Sequence, residues 1–284
     1  MILRWLLWPV AMLPLRWLHA IGAGIGWLVY RLSPTYAGRL RENLLQSGIC
    51  GRESIPGAVL SRAIAEAGRG VLEVLPVWFR SDAWVDRIVC ERDGVDAIDR
   101  ALARGKGVVF LTPHLGCYEV AARYGALRFP ITILYRPSRQ RWLEPLLRLG
   151  RLHGQATLAT TDFGGVRKLL SALRRGEAVG LLPDQAPSGG QGEWAPFFGR
   201  PAYTMTLPQR LVAATGATVL LAHAGRLPRG RGFRLSIREL DGAATAPVAL
   251  NRAIEALVRT APQEYLWSYN RYKVPRGTEP PADD

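Results

Sequence analysis

The sequence predicts an α/β domain built on a mostly parallel central sheet flanked by helices, preceded by an N-terminal, membrane-associated helical segment. Three observations predict it. Short apolar runs rich in β-formers, beginning with Val108-Val109-Phe110-Leu111-Thr112, read as fully buried strands. Stretches with helical periodicity separate those runs, the pattern of a sheet covered on both faces. The first 30 residues carry only Arg4, Arg16 and a titratable His19 among their apolar neighbours.

In chain order, residues 36–46 read as a short helix ended by Gly48. Residues 56–79 form a longer helix that opens on Ser54 and Pro56. Residues 95–103 are helical and stop at Gly105. The first strand, 108–112, is followed by a helix at 118–127 and a strand at 131–135. Residues 140–152 and 166–174 are helical, the second with Asp162 as its cap. A strand at 178–182, a helix at 205–214 and a strand at 218–222 follow. Residues 233–237 alternate like a strand with one wet face, and a helix at 248–259 closes the domain. Sites in such sheets form beyond the carboxyl ends of the strands. The loops after Thr112, Tyr135 and Leu182 are therefore expected to share one edge.

The organisation reads as an anchor over residues 1–32 and one globular domain over 33–284. Pro9, Pro14 and Arg16 interrupt the apolar run, which spoils a signal-peptide core and leaves two anchors open. One is a single span with Arg16 snorkelling; the other is an interfacial helix held by Trp5, Trp8, Trp17 and Trp27. The following arginines, Arg31, Arg39 and Arg41, favour the cytoplasmic side.

The chain carries a formal charge of +14, and only Lys106, Lys168 and Lys273 are lysines. An arginine-rich surface suits anionic partners, although GC-rich codons alone also favour arginine. Arg226, Arg229 and Arg231 form a basic cluster fit for an acidic protein or headgroups, or else a solvated face. Nucleic acid explains the charge but not the apolar start, and no base-stacking or zinc module is visible. Three scattered cysteines, Cys50, Cys90 and Cys117, fit a reducing compartment, and the four histidines show no metal-ligand spacing.

The segment Leu111-Thr112-Pro113-His114-Leu115-Gly116-Cys117-Tyr118-Glu119 leaves the first core strand. On a regular helix His114 and Glu119 would lie about 140° apart. They meet if His114 sits in the loop and Glu119 one turn inside the helix, with Pro113 and Gly116 supplying the irregular backbone. Glu119 then orients the imidazole and leaves its other nitrogen free as a general base. Cys117 is a rival nucleophile that would leave Glu119 idle.

These residues and four further blocks carry a resemblance. The box TPHLGCYE, then Ile133-Leu134-Tyr135-Arg136-Pro137, then Leu182-Pro183-Asp184-Gln185-Ala186-Pro187 with Ala195-Pro196-Phe197-Phe198-Gly199, resemble the late lipid A biosynthesis acyltransferases of Gram-negative bacteria. The closing Pro262-Gln263-Glu264-Tyr265-Leu266-Trp267 and Asn270-Arg271-Tyr272-Lys273 do so too, and the order is kept over nearly the whole chain. One departure concerns acceptor detail: Ser268, Tyr269 and Asn270 stand where the family often has a histidine.

The resemblance implies a glycerolipid-acyltransferase-like fold, acyl carrier protein as donor and a hydroxyl of a lipid A precursor as acceptor. It implies a site on an anionic inner membrane, at its cytoplasmic face, and no cofactor. His114 would deprotonate the hydroxyl, with Glu119 orienting it. Gly116 backbone amides and Arg136 are candidate oxyanion donors. Arg136 binds a phosphate or pairs with Asp184; Asp184 orients Arg136 or His114; Gln185 is a further contact. Phe197 and Phe198 are candidate walls of an acyl slot. Two alternatives remain: an acyltransferase for a lysophospholipid, ornithine lipid or glycolipid, and a non-catalytic membrane adaptor, which would leave the His114 box unused.

Overall fold

The computed structural model describes residues 2–138 and 140–281. Helices α1 (Ile2–Ala11), α2 (Leu15–Leu32) and α3 (Pro34–Gln46) precede the long α4 (Gly57–Phe79) and the short α5 (Asp82–Ile88). The sheet then begins with β1 (Val89–Asp93), α6 (Asp96–Ala103), β2 (Val108–Leu111), α7 (Tyr118–Ala126) and β3 (Ile131–Tyr135). It continues through α8 (Glu144–Arg151), β4 (Ala156–Thr160), α9 (Phe163–Arg174) and β5 (Ala178–Leu181). A hairpin of β6 (Gly192–Phe197) and β7 (Arg200–Met205) leads to α10 (Leu207–Thr215), β8 (Thr218–Arg226), β9 (Phe233–Leu240) and α11 (Pro247–Thr260).

Seven strands form the central sheet in the order β1-β9-β8-β2-β5-β3-β4. Strands β8, β2, β5, β3 and β4 run parallel; β9 turns back against β8 and carries β1 beside it. The expected mostly parallel sheet is thus present, with an antiparallel join at one side. Two apolar clusters lie on its two faces. Phe110, Ile131, Ile133 and Tyr135 belong to one, and Val109, Leu111, Val179 and Leu181 to the other, as the strand period of two requires.

Several elements differ from the sequence reading. Strands β1 and β4 lie at the two sheet edges, and Val-Cys-Glu-Arg-Asp and Ala-Thr-Leu-Ala-Thr lack the apolar density of the central strands. The β6–β7 hairpin also went unread, although its Phe198-Gly199 turn has positive φ at both residues, 49° and 79°, as two-residue hairpin loops favour. Helix α8 starts at Glu144, later than the periodicity suggests.

At the N-terminus α2 lies on α4 through glycines. A Cβ on Gly68 would strike the Gly22 carbonyl, and one on Gly26 the Ile64 carbonyl. Small residues let the two backbones approach. Leu15 and Leu18 are buried there, each contributing about 1.5–3 kcal/mol. The outward face keeps Trp17, Ile21, Leu28 and Leu32 exposed, and α1 adds Trp5, Leu6 and Trp8. Among the described residues no single helix is long and apolar enough to cross a membrane. Trp5–Ala11 and Leu15–Leu32 reach that length and composition only together, bent by 112°.

Candidate active site

Strands β2 and β5 are adjacent, parallel and paired Leu111 to Leu181, and the Thr112 N–H extends the ladder to the Leu181 carbonyl at 2.9 Å. His114 and Asp184 each lie three residues beyond that last pair, so the register alone delivers them to the same edge. There the His114 ring Nδ1 lies 2.8 Å from Asp184 Oδ1, and the His114 backbone N–H donates to Oδ2 at 3.0 Å. Asp184 is 2% exposed and His114 13% at the side chain, so the pair is shielded from competing water.

Burial by itself would raise the Asp184 carboxyl, but the His114 ring and backbone amide more than offset it and hold it below the usual carboxylate range. An ionised Asp184 fixes the proton on Nδ1 and leaves Nε2 with a lone pair. The Gln185 amide sits 3.1 Å from that Nε2, and Tyr118 packs its ring 4.9 Å from the imidazole. This is the geometry of a general base: an oriented imidazole with its basic nitrogen turned outward.

Glu119 is elsewhere. Its Oε1 accepts from Arg151 Nε at 3.0 Å and Nη2 at 2.6 Å, while its Oε2 faces Trp78 Nε1 at 3.2 Å. The expected contact with His114 is not made among the described residues, because one turn of α7 aims Glu119 at α4 and α8. The carboxylate that orients His114 is Asp184. Glu119 instead holds Arg151, whose pairing overcomes burial and raises its guanidinium above the ordinary arginine value. Arg151 and Trp78, missed in the sequence reading, line the same cavity as His114. Nothing local in the sequence marks either one.

The Gly116 backbone does not supply free donors. The Gly116 N–H bonds the Glu264 carbonyl at 3.2 Å and the Cys117 N–H the Ala224 carbonyl at 2.9 Å. Gly116 has φ +64°, and a Cβ there would strike Ala224, so its role is to let the loop lie against β8. Cys117 is buried, and burial pushes its thiol well above the ordinary value, which makes it a poor nucleophile.

Arg226 is not part of a surface cluster. Its side chain is buried against Glu73 and Glu66, with Nη2 3.2 Å from the Gly116 carbonyl, because three carboxylates on neighbouring elements face it. Arg136 is exposed at the cavity rim, and among the described residues it makes no ion pair with Asp184, whose oxygens are taken by His114.

His114 opens onto a cavity of about 760 Å³. One part runs beneath α7 along Ile133 to Ile131, the first residue of β3, where Phe110 and Phe129 stack 5.5 Å apart. From Tyr135 to Ile131 the strand covers about 13 Å. Ala121, Ala122 and Gly125 keep the α7 side open. Phe197 and Phe198 do not line this cavity. They are buried with Tyr265, Trp267 and Tyr272 on the opposite face of the sheet, where the hairpin of β6 and β7 docks on α11. The slot walls come from β2, β3 and α7 instead.

This arrangement, a carboxylate-oriented histidine above a long apolar slot, suits acyl transfer. Comparison with known proteins agrees. Over residues 2–274 the chain matches the family described as bacterial lipid A biosynthesis acyltransferase. It is 27% identical to a lipid A biosynthesis lauroyltransferase of Escherichia coli over 96% of this chain and 92% of that protein. It is 28% identical to a lipid A biosynthesis palmitoleoyltransferase of the same organism, over 92% of each. A phosphatidylinositol mannoside acyltransferase of Mycobacterium tuberculosis is 27% identical over 74% of this chain and 73% of its own length. With the sheet, the histidine and the full-length match in agreement, the chain belongs to the bacterial lipid A biosynthesis acyltransferase family.

Proposed function

We propose that this acyltransferase moves a fatty acyl group from acyl carrier protein to a hydroxyl of a lipid A precursor. The observation that carries the reading is the His114–Asp184 pair facing an apolar cavity about 760 Å³ in volume. A thioester tail in that slot gains about 0.8 kcal/mol for each buried CH₂, enough to fix the reacting carbonyl beside His114.

His114 Nε2 takes the proton of the acceptor hydroxyl as its oxygen bonds to the thioester carbonyl carbon. The resulting oxyanion collapses, the C–S bond breaks, and the imidazolium returns the proton to the departing thiolate. Asp184 stabilises the imidazolium between those steps. The Gln185 amide, within reach of Nε2 at rest, is a side-chain donor for the oxyanion, and Arg136 at the rim is placed for a phosphate of either substrate. Glu119 serves by holding Arg151 at the slot wall.

The site works at the cytoplasmic face of the inner membrane, with residues 1–32 as the anchor. The exposed tryptophans and leucines of α1 and α2, followed by Arg31, Arg39 and Arg41, support that placement.

Acyl transfer in detergent tests the reading, using a panel of acyl carrier protein thioesters and a phosphorylated disaccharide lipid. Wild type is expected to transfer, and His114→Ala and Asp184→Asn are not. Transfer only to a lysophospholipid, ornithine lipid or glycolipid would keep the chemistry and refute the acceptor.

A further inference from the structure

A run of buried ionisable side chains that the proposed mechanism leaves unused connects α2 to the loop of His114. At its outer end His19, on α2, places ring Nε2 3.2 Å from Glu73 Oε2 on α4, and both side chains are buried. The same Glu73 oxygen accepts from Arg226 Nε at 2.9 Å, at the end of β8. Arg226 Nη1 lies 3.2 Å from Glu66 Oε2, and its backbone N–H faces the Glu264 carboxylate at 3.3 Å. Its Nη2 donates to the Gly116 carbonyl at 3.2 Å, two residues beyond His114.

That carbonyl belongs to a loop pinned from several sides. The His114 N–H donates to Asp184, and the His114 carbonyl accepts from the Leu266 N–H at 3.0 Å. The Gly116 N–H donates to the Glu264 carbonyl and the Cys117 N–H to the Ala224 carbonyl. Arg226 completes the set and ties the loop to α4 and, through Glu73, to α2.

Burial raises the Glu73 carboxyl, but Arg226 and His19 more than offset it, so an ionised Glu73 accepts from both. Buried ion pairs are weak stabilisers, because desolvation cancels most of the attraction. Apolar side chains of the same volume would hold α2 on α4 equally well. What a planar guanidinium adds is direction, since its fork sets the Gly116 carbonyl and Glu73 at a fixed angle to each other. A general base tolerates little error: a displacement of about 1 Å costs about 10²-fold in rate.

We infer that Arg226 is a positioning residue for His114, held by Glu73 and His19, which makes α2 part of the catalytic scaffold as well as an anchor. The inference rests on His114 as the general base of the proposed acyl transfer. Gly22, Gly26 and Gly68 bring the backbones of α2 and α4 together, and His19 lies within one turn of Gly22. The seating of α2 therefore sets where Glu73 offers its carboxylate to Arg226.

The test measures transfer from an acyl carrier protein thioester to the phosphorylated disaccharide lipid, with circular dichroism for folding and vesicle flotation for membrane binding. Arg226→Lys keeps a positive charge beside Glu73 and Glu66 but loses the fork, and is expected to lower kcat about tenfold or more. His19→Leu removes the outer contact without leaving Arg226 unpaired, and kcat is expected to fall about three- to tenfold. His19→Gln restores an N–H toward Glu73 and should recover most of that loss. KM for donor and acceptor, and vesicle binding, should stay within about twofold throughout. A network that only stabilises the fold would lower the urea midpoint and leave kcat of the folded enzyme unchanged, which would overturn the inference. So would a rise in KM alone, a loss that accompanies release from vesicles, or a loss that His19→Gln does not recover. If Arg226→Lys does not fold, the two His19 variants decide. A His114→Ala enzyme that still transfers would refute the general base, and wild type without transfer the reaction itself; either takes the inference with it.

Discussion

Asp184 holds His114 by two atoms at once, the ring Nδ1 at 2.8 Å and the backbone N–H at 3.0 Å. The double contact fixes the loop after β2 as well as the imidazole. A carboxylate in this position selects the tautomer and stabilises the charge that forms on proton transfer.

Replacing either partner should therefore remove transfer without removing the fold. His114→Ala and Asp184→Asn are each expected to lower kcat by about 10²–10⁴-fold. Circular dichroism checks folding and initial rates check activity. An Asp184→Asn enzyme with wild-type kcat would refute its role as orienting carboxylate.

Glu119 should show a different signature. Its loss leaves Arg151 half-enclosed and unpaired, at a cost of about 1–3 kcal/mol. Urea denaturation of Glu119→Ala should show that drop. The double variant with Arg151→Met should regain most of it, which direct service of Glu119 to His114 would not produce.

Burial and a raised thiol make Cys117 a bystander. Cys117→Ala should keep transfer within about threefold of wild type. In the native protein maleimide should label the exposed Cys90 and spare Cys117, as mass spectrometry of peptides can show. Loss of transfer in a folded Cys117→Ala would revive a thiol nucleophile.

The floor of the slot beneath α7 should set donor length. Phe129→Ala opens space behind the Phe110 stack, and the favoured thioester should lengthen by at least one two-carbon unit. Phe198→Leu, on the other face of the sheet, should cost stability and leave donor preference unchanged. Competition between mixed thioesters measures both.

Acid should unfold the protein through two buried carboxyls. Burial raises both Glu73 and Asp184, but Arg226 and His19 around the first, and His114 around the second, bring each below its ordinary value. A carboxyl depressed in the folded state stabilises it above the unfolded value, about 4, and that contribution is lost as pH falls through the folded value. From these groups the urea midpoint should be level from neutral pH to about 5 and decline below about 4. A midpoint still level at pH 3 would contradict the depressed values.

Much of this was legible in the chain itself. Dense apolar runs such as 108–112 and 131–135 read as buried strands, and they set the parallel sheet and the edge where the site forms. The His114 box and the apolar N-terminus were read from local residues, and the Asp184-Gln185 loop from the resemblance to the family that the chain matches over residues 2–274. The edge strands β1 and β4 escaped because an edge needs less apolar surface.

What only the tertiary structure decided is which of these residues meet. The family resemblance paired Glu119 with His114, yet β2 and β5 pair in a register that brings Asp184 from 70 residues away, and α7 turns Glu119 toward Arg151. Phe197 and Phe198 were the candidate acyl walls, yet Phe110 and Phe129 line the cavity. Hydrophobicity says that a side chain is buried, and only strand register and helix placement say on which face of the sheet it is buried. Local physics marked most of the elements; long-range packing chose the partners.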